Sequence, residues 1–285
     1  AWHWVCRASE VRWGEGGLAR SDGAALGAGA FLVSPADCAP AVHPPAGVAA
    51  HRWKGALVTV CLKRVTDPQE FGIVVTDEVG RVERFVEKPT WGQVVTDTIN
   101  TGIYVMEPEV FAHVANGRVV DWSADVFPTL VAAGAPVYGY VAAGYWEDVG
   151  TQASYHAVHA AVLNRQVEVE LDGYEVSPGI WIGEGAEVDP AALLTGPVFI
   201  GRNAKVEGGA ELGDSTVLGD NVIVKSGAQL RRAVVHDNAF IGPQAMLRGC
   251  VVGKHTDVMR AVRIEEGAVV GESCTIEQEA FLSSG

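Results

Sequence analysis

Between Val176 and Leu282 an aliphatic residue recurs every six positions. The series runs Val176, Ile182, Val188, Leu194, Ile200, Val206, Leu212, Leu218, Val224 and Leu230. It slips by one residue to Val235, Ile241 and Leu247, slips again to Val252, and continues through Val258, Ile264, Val270, Ile276 and Leu282. Small residues sit four places after many of these, at Ala186, Ala204, Ala210, Ala228, Ala239 and Ala268. A period of six fits neither an α-helix nor a hairpin meander. It fits a solenoid with three flat faces, about eighteen residues per coil, stacked at the strand spacing of roughly 4.8 Å. The aliphatics line the inside and the small residues allow tight corners.

Residues 54–166 follow a different pattern. Ala56–Leu62 is an almost unbroken apolar, β-branched run, as expected of a strand buried on both faces of a parallel sheet. Phe71–Val75 and Val82–Val86 flank a turn at Asp77–Gly80 and read as a hairpin. Thr98–Met106 is a strand containing a glycine, and Pro108 opens a short helix through Val114. Ser123 is the expected cap of a helix over 124–133 that Gly134 stops, and 136–141 is a strand. Thr151 caps a helix to about Gln166 with Tyr155, Val158 and Val162 on one face. Alternating strands and helices make an α/β domain. Residues 1–50 show little periodicity: only Gly29–Val33 looks like a strand, and Pro40, Pro44 and Pro45 are expected to break any element.

Composition narrows the function. The 285 residues suffice for two domains, and the net charge of −14 argues against nucleic acid and against a polybasic membrane patch. No apolar run of about 18 residues exists, so no membrane span is expected. Ala1–Cys6 has neither a charged nor an apolar leader segment, so no signal peptide is expected. The five cysteines (Cys6, Cys38, Cys61, Cys250, Cys274) are scattered without CxxC spacing and read as reduced thiols of a cytoplasmic protein.

Four stretches offer chemistry. Phe85-Val-Glu87-Lys88-Pro89 ends a strand in an acid and a base, because Pro89 cannot continue a ladder. A surface ion pair would explain it equally well if it stood alone. Gly72 lies within a strand, where backbone can approach a ligand or form a plain bulge. Asn100-Thr101-Gly102 places an amide and a hydroxyl beside a glycine. Glu147 and Asp148 precede a helix N-terminus, where acids also serve the helix dipole, although Asp148 could hold a divalent cation.

In this order, Phe-Gly-Ile-Val, Phe-Val-Glu-Lys-Pro, Asn-Thr-Gly-Ile-Tyr and Tyr-Trp-Glu-Asp-Val-Gly-Thr resemble the sugar-1-phosphate nucleotidyltransferases. The likeness is greatest to the bacterial mannose-1-phosphate guanylyltransferase (GDP-mannose pyrophosphorylase-like) group with a hexapeptide-repeat tail, and Asp121–Pro128 looks like that family's helix entry. The resemblance covers about 51–282. It implies a Rossmann-like α/β nucleotidyltransferase domain, of which 51–170 would be the C-terminal portion, followed over 176–285 by a left-handed parallel β-helix of hexapeptide repeats. By the same resemblance Gly72, Glu87, Asn100 and Gly102 bind the sugar, Lys88 pairs with its phosphate, and Asp148 ligates Mg²⁺, making Lys88 and Asp148 the catalytic pair. The reaction implied is attack of a sugar-1-phosphate on a nucleoside triphosphate, with GTP and mannose-1-phosphate as first expectation. Thymidylyl, adenylyl or cytidylyl transfer to glucose-1-phosphate stays open.

The chain departs from the family at its start. No Gly-rich G-x-G-x-R-L-x-P run occurs in residues 1–50, and Asp37 follows Ser-Pro-Ala where the family has Gly-Asp. Residues 1–50 are therefore expected to be truncated or read in a wrong frame, with weak catalysis as the consequence, and the repeat is expected to continue beyond Gly285. Two other classes are compatible: a hexapeptide-repeat acyltransferase using His236 or His255 as base, and a non-catalytic regulatory subunit. Self-associating solenoid faces make a homo-oligomer the expectation.

Overall fold

The computed structural model describes residues 29–35, 38–40, 44–114 and 119–284. The chain divides after Trp146 into two compact units.

In the first unit a six-stranded sheet runs in the order β5 (Val82–Val86), β4 (Ile73–Thr76), β6 (Thr98–Met106), β3 (Val58–Arg64), β7 (Val137–Val141), and β1 (Phe31–Val33) adds to β6, while the short strand β2 (Cys38–Pro40) lies outside this sheet. The sheet is mixed, correcting the parallel reading of Ala56–Leu62. Strand β3 runs parallel to β7 but antiparallel to β6, and β6 is antiparallel to β1 and β4 as well. The burial reading of β3 holds, since Val58, Val60 and Leu62 are buried on one side of the strand and Thr59 and Cys61 on the other. The β4–β5 hairpin turns on Asp77, whose carboxylate accepts from the amides of Val79 and Arg81. Pro108–His113 is a short 3₁₀ helix.

The prolines correct a second expectation. Pro44 and Pro45 open a helix, α1 (Pro44–Lys54), rather than breaking one. Proline lacks only a first-turn N–H that no helix uses, and its φ suits that turn. His51, Arg52 and Lys54 occupy the last turn, where positive charge suits the dipole. The cap of the next helix also moves. Asp121, not Ser123, accepts the Ala124 amide at 2.7 Å and starts a wide π turn, Trp122–Val126, that leads into α2 (Phe127–Ala132). Gly134, at φ 72°, ends it as expected. Trp122, Phe127 and Leu130 are buried and carry this segment onto the sheet.

The second unit begins with the end of a short strand, Trp146–Asp148, and α3 (Gln152–Leu163). Thr151 caps α3 reciprocally with Ser154. The helix is shorter than its pattern suggested. Its fully buried residues are Ser154, Ala161 and Leu163, while Tyr155, Val158 and Val162 are half-buried.

Three parallel sheets then form a β-solenoid. Its inward columns are the predicted aliphatics. Ile182, Ile200, Leu218, Val235, Val252 and Val270 stack on one face. Val188, Val206, Val224, Ile241, Val258 and Ile276 stack on the second. Leu194, Leu212, Leu230, Leu247, Ile264 and Leu282 stack on the third. The coil architecture is consistent with a left-handed β-helix. Val176 is the exception: it lies on a strand antiparallel to the first coil and is exposed. One corner column, Gly185, Asn203, Asn221, Asn238, His255 and Ser273, has positive φ throughout. Asparagine tolerates that region best after glycine, and the Asn221 amide donates to the Asn238 carbonyl oxygen along the stack.

Candidate functional site

The sheet of the first unit collects three of the predicted residues into one cavity. A hollow of about 160 Å³ is lined by Gly72, Phe85, Glu87, Asn100 and Ser123, among others. These come from four separate segments. Gly72 immediately precedes β4, and its carbonyl accepts the Asn100 amide at 2.8 Å. Glu87 leaves the end of β5 and folds over Gly72: a Cβ on that glycine would lie 2.6 Å from the Glu87 Oε2. A side chain at that position would push the carboxylate aside from this placement.

Asn100 owes its placement to a bulge. Across β3 and β6, Val60 faces Tyr104 while Leu62 faces Asn100, so β6 carries two extra residues around Thr101–Ile103. The Thr101 hydroxyl pins the bulge by donating to the Cys61 carbonyl at 2.8 Å. Gly102 takes φ 78°, and a Cβ there would meet the Pro35 ring at 2.9 Å. The Asn100 amide group donates to Ser123 Oγ at 2.8 Å and to the Tyr104 hydroxyl at 3.0 Å, while its oxygen accepts the Gly102 N–H at 3.0 Å. One lone pair of that oxygen is left for a ligand. Behind the cavity Phe85, Tyr104 and Trp122 pack around the ring of Phe127.

Lys88 adjoins Glu87 at the surface with φ 41°, a left-handed conformation uncommon for lysine. Both side chains are exposed, and neither makes an ion pair among the described residues. The simple ion-pair reading of this dipeptide is therefore not what the geometry shows. Gly102 shapes the bulge and is not among the cavity-lining residues. Asp148 belongs to the second unit and is exposed there, its Oδ2 3.1 Å from where a Gly150 Cβ would sit. Among the described residues no group of three or more His, Cys, Asp or Glu is placed to hold a metal ion. Mg²⁺ is commonly held by one or two carboxylates completed by water and substrate phosphates. The lone, exposed Asp148 fits such a shared site and not an all-protein cage. Asp37 lies outside the described residues.

Sequence reasoning missed Ser123 as a cavity residue, having placed it at a helix cap. The signal available was weak, since a serine two residues after the true cap, Asp121, carries no periodicity of its own. The remaining candidates differ in setting. His236 Nε2 is 3.2 Å from the Tyr155 hydroxyl, and His255 is exposed at a left-handed corner. Of the cysteines among the described residues, Cys61, Cys250 and Cys274 are free thiols. Burial pushes Cys61 up to about 11 and Cys250 up to about 12, which makes both poor nucleophiles near neutral pH. No helix among the described residues is long and apolar enough to cross a membrane.

Comparison with known proteins bears on both units. The family profile described as Nucleotidyl transferase matches residues 9–165, over half of the chain. The profile described as GMPPB C-terminal domain matches 194–285. A UTP–glucose-1-phosphate uridylyltransferase of Synechocystis is 40% identical over 138 residues, 47% of this chain and 35% of that protein. A mannose-1-phosphate guanylyltransferase of Mycobacterium tuberculosis is 39% identical over 166 residues, 52% of this chain and 46% of that protein. The mannose-1-phosphate guanylyltransferase catalytic subunit beta of Drosophila pseudoobscura is 34% identical over 235 residues, 82% of this chain and 58% of that protein. The chain thus spans between about a third and three-fifths of the length of these relatives.

Proposed function

This chain belongs to the nucleotidyl transferase family, and from that premise we propose that its cavity binds the sugar-1-phosphate in a sugar-1-phosphate nucleotidyltransferase reaction. The observation that carries the reading is the convergence of Gly72, Glu87 and Asn100 from separate segments onto one hollow; Lys88 follows Glu87 in the chain, is exposed and makes no ion pair among the described residues. Glu87 accepts from sugar hydroxyls, and the free lone pair of Asn100 accepts another. Lys88 neutralises the phosphate as a flexible point charge. Mannose-1-phosphate with GTP is the favoured pair, supported by the names of two relatives, while the uridylyltransferase relative keeps glucose-1-phosphate as the second choice.

The chemical demand is to bring two polyanions into line. Mg²⁺, with Asp148 as its protein ligand, would offset their repulsion and stabilise the leaving pyrophosphate. Lys88 contributes to that offset on the acceptor side, and the apolar wall at Phe85 excludes water from one side of the sugar. Residues 1–50 hold no G-x-G-x-R-L-x-P run, so sugar-phosphate binding is expected to exceed turnover in the 285-residue chain. A cytoplasmic setting and a homo-oligomer belong to the same proposal, the second open to light scattering.

The test is calorimetric binding of mannose-1-phosphate and glucose-1-phosphate, with pyrophosphate release measured for each nucleoside triphosphate. Replacing Lys88 with alanine removes a charge-assisted contact and should weaken sugar-phosphate binding roughly 10- to 100-fold with little change in stability. Equal affinity in wild type and Lys88→Ala, or no affinity for either sugar phosphate, would overturn the assignment.

A further inference from the structure

Both breaks in the six-residue period fall at one corner of the solenoid. After Leu230 and again after Leu247 the next inward aliphatic comes five residues on, at Val235 and Val252. The preceding coil takes six, from Leu212 to Leu218. Two shortened corners thus lie beside a full-length one that carries Asp214 and Ser215 in left-handed backbone. Here a hollow of about 390 Å³ is lined by Asp214, Gln229, Arg231, Arg232 and Arg248.

The first residue after each of those leucines is an arginine. Arg231 and Arg248 stand in register on neighbouring parallel strands. Like charges directly across a ladder repel, and the same column holds Gly213 in the coil before. Internal compensation is incomplete. Arg231 Nη1 reaches Asp214 Oδ2 only at 3.5 Å, with both side chains more than half exposed. Arg232 pairs with Glu266 at 3.0 Å. The Arg248 side chain has no ion pair or hydrogen bond among the described residues. Arg232 also holds φ 49° where the next two coils place Gly249 and Gly267. A side chain is kept there against the backbone's preference for glycine. All this occurs in a chain of net charge −14, where an arginine cluster stands against the general field.

We propose that this hollow binds a small phosphorylated anion, with the guanidinium groups of Arg231 and Arg248 gripping phosphoryl oxygens and the Gln229 amide donating to another. Paired planar forks suit tetrahedral oxyanions better than lysine ammonium groups would. The site is built wholly from the solenoid and does not depend on the reaction assigned to the α/β unit.

The test is calorimetric titration of the whole chain with inorganic pyrophosphate in metal-free, low-salt buffer. Wild type, the double variant Arg231→Gln/Arg248→Gln, the conservative Arg231→Lys/Arg248→Lys and Lys88→Gln would be compared, with circular dichroism verifying that each is folded. Saturable binding is expected, weakened at least about tenfold in the glutamine double variant, partly restored by lysine and retained in Lys88→Gln. Unchanged affinity in the glutamine variant would overturn the proposal. So would loss of binding in Lys88→Gln alone, which would place the probe in the α/β cavity. Salt-sensitive self-association lost in the glutamine variant, with no pyrophosphate binding, would overturn it in favour of an acidic protein surface as the occupant.

Discussion

The two units solve the same burial problem in opposite ways. In the solenoid each coil repeats its neighbour, and the core is three columns of aliphatics in which every residue touches its equivalent above and below. In the α/β sheet no position repeats, and Trp122, Phe127 and Tyr104 each have a unique partner set. Repetition makes a fold easy to read and leaves little room for chemistry, because each side chain has the same job as the next. Sites arise where a rule is broken. In the sheet the breaks are the bulge at Thr101–Gly102, the left-handed Lys88 and the glycine that admits Glu87. In the solenoid they are the two five-residue corners beside Arg231 and Arg248.

The comparison can be broken most forcefully in the solenoid core. Leu230 is fully buried, and Leu230→Ala should cost about 2–5 kcal/mol through lost burial and the cavity left behind. In a nearest-neighbour array the loss should appear as an early denaturant transition, while sugar-phosphate binding by the sheet persists. Equal shifts in a single transition would show that the two cores unfold as one.

A smaller effect probes the rule-breaking residues of the sheet. Gly102→Ala puts a Cβ at φ 78° against Pro35, and about 1–2 kcal/mol of destabilisation is expected from the backbone conformation alone. Because the bulge aims Asn100, sugar-phosphate affinity should fall further than stability does. Affinity that merely tracks the folded fraction in urea titrations would deny the bulge a role in the site.

The smallest effect concerns how α3 rests on its own unit. Burial first, and then neighbouring positive charge, holds His156 below 6.5; burial first, and then the charge of His236, holds His159 below it, with an opposing bond to the Tyr155 carbonyl. Arg232, Glu266, His236 and Tyr155 are the charged and titratable groups facing them. The folded state therefore binds fewer protons than the unfolded chain just below 6.5. Stability should be fully present above that pH and decline as pH falls from it toward the lowered folded values. His156 Nε2 is buried without a hydrogen-bond partner among the described residues, so His156→Leu should cost little at neutral pH and flatten the acid slope. Urea midpoints between neutral and mildly acidic pH measure both, and an unaltered slope in the variant would remove His156 from the account.

Much of this architecture is legible one residue at a time. The strand Thr98–Met106 has the bounds that its pattern indicates, and eighteen of nineteen aliphatics in the six-residue series fall in the inward columns. Val176 fails because periodicity does not reveal where a coil starts, and its strand pairs antiparallel instead. The helix at Pro44 was hidden because proline is read as a breaker unless the first turn is already known. Ser123 was read as a cap because Asp121 and Ser123 are both good caps, and only the 2.7 Å bond to Ala124 distinguishes them.

By itself the sequence determined what periodic burial determines. It specified a three-faced solenoid, a sheet with a hairpin, and the acid, base and glycine motifs at strand ends, because facing and breaking are local properties of neighbouring residues. The tertiary structure decided which distant segments meet. It brought Gly72, Glu87, Asn100 and Ser123 to one hollow, made the sheet mixed, and set Arg231 over Arg248. Such meetings depend on register and bulges, where a shift of a single residue changes the partner and the face, and no stretch of sequence carries that information alone.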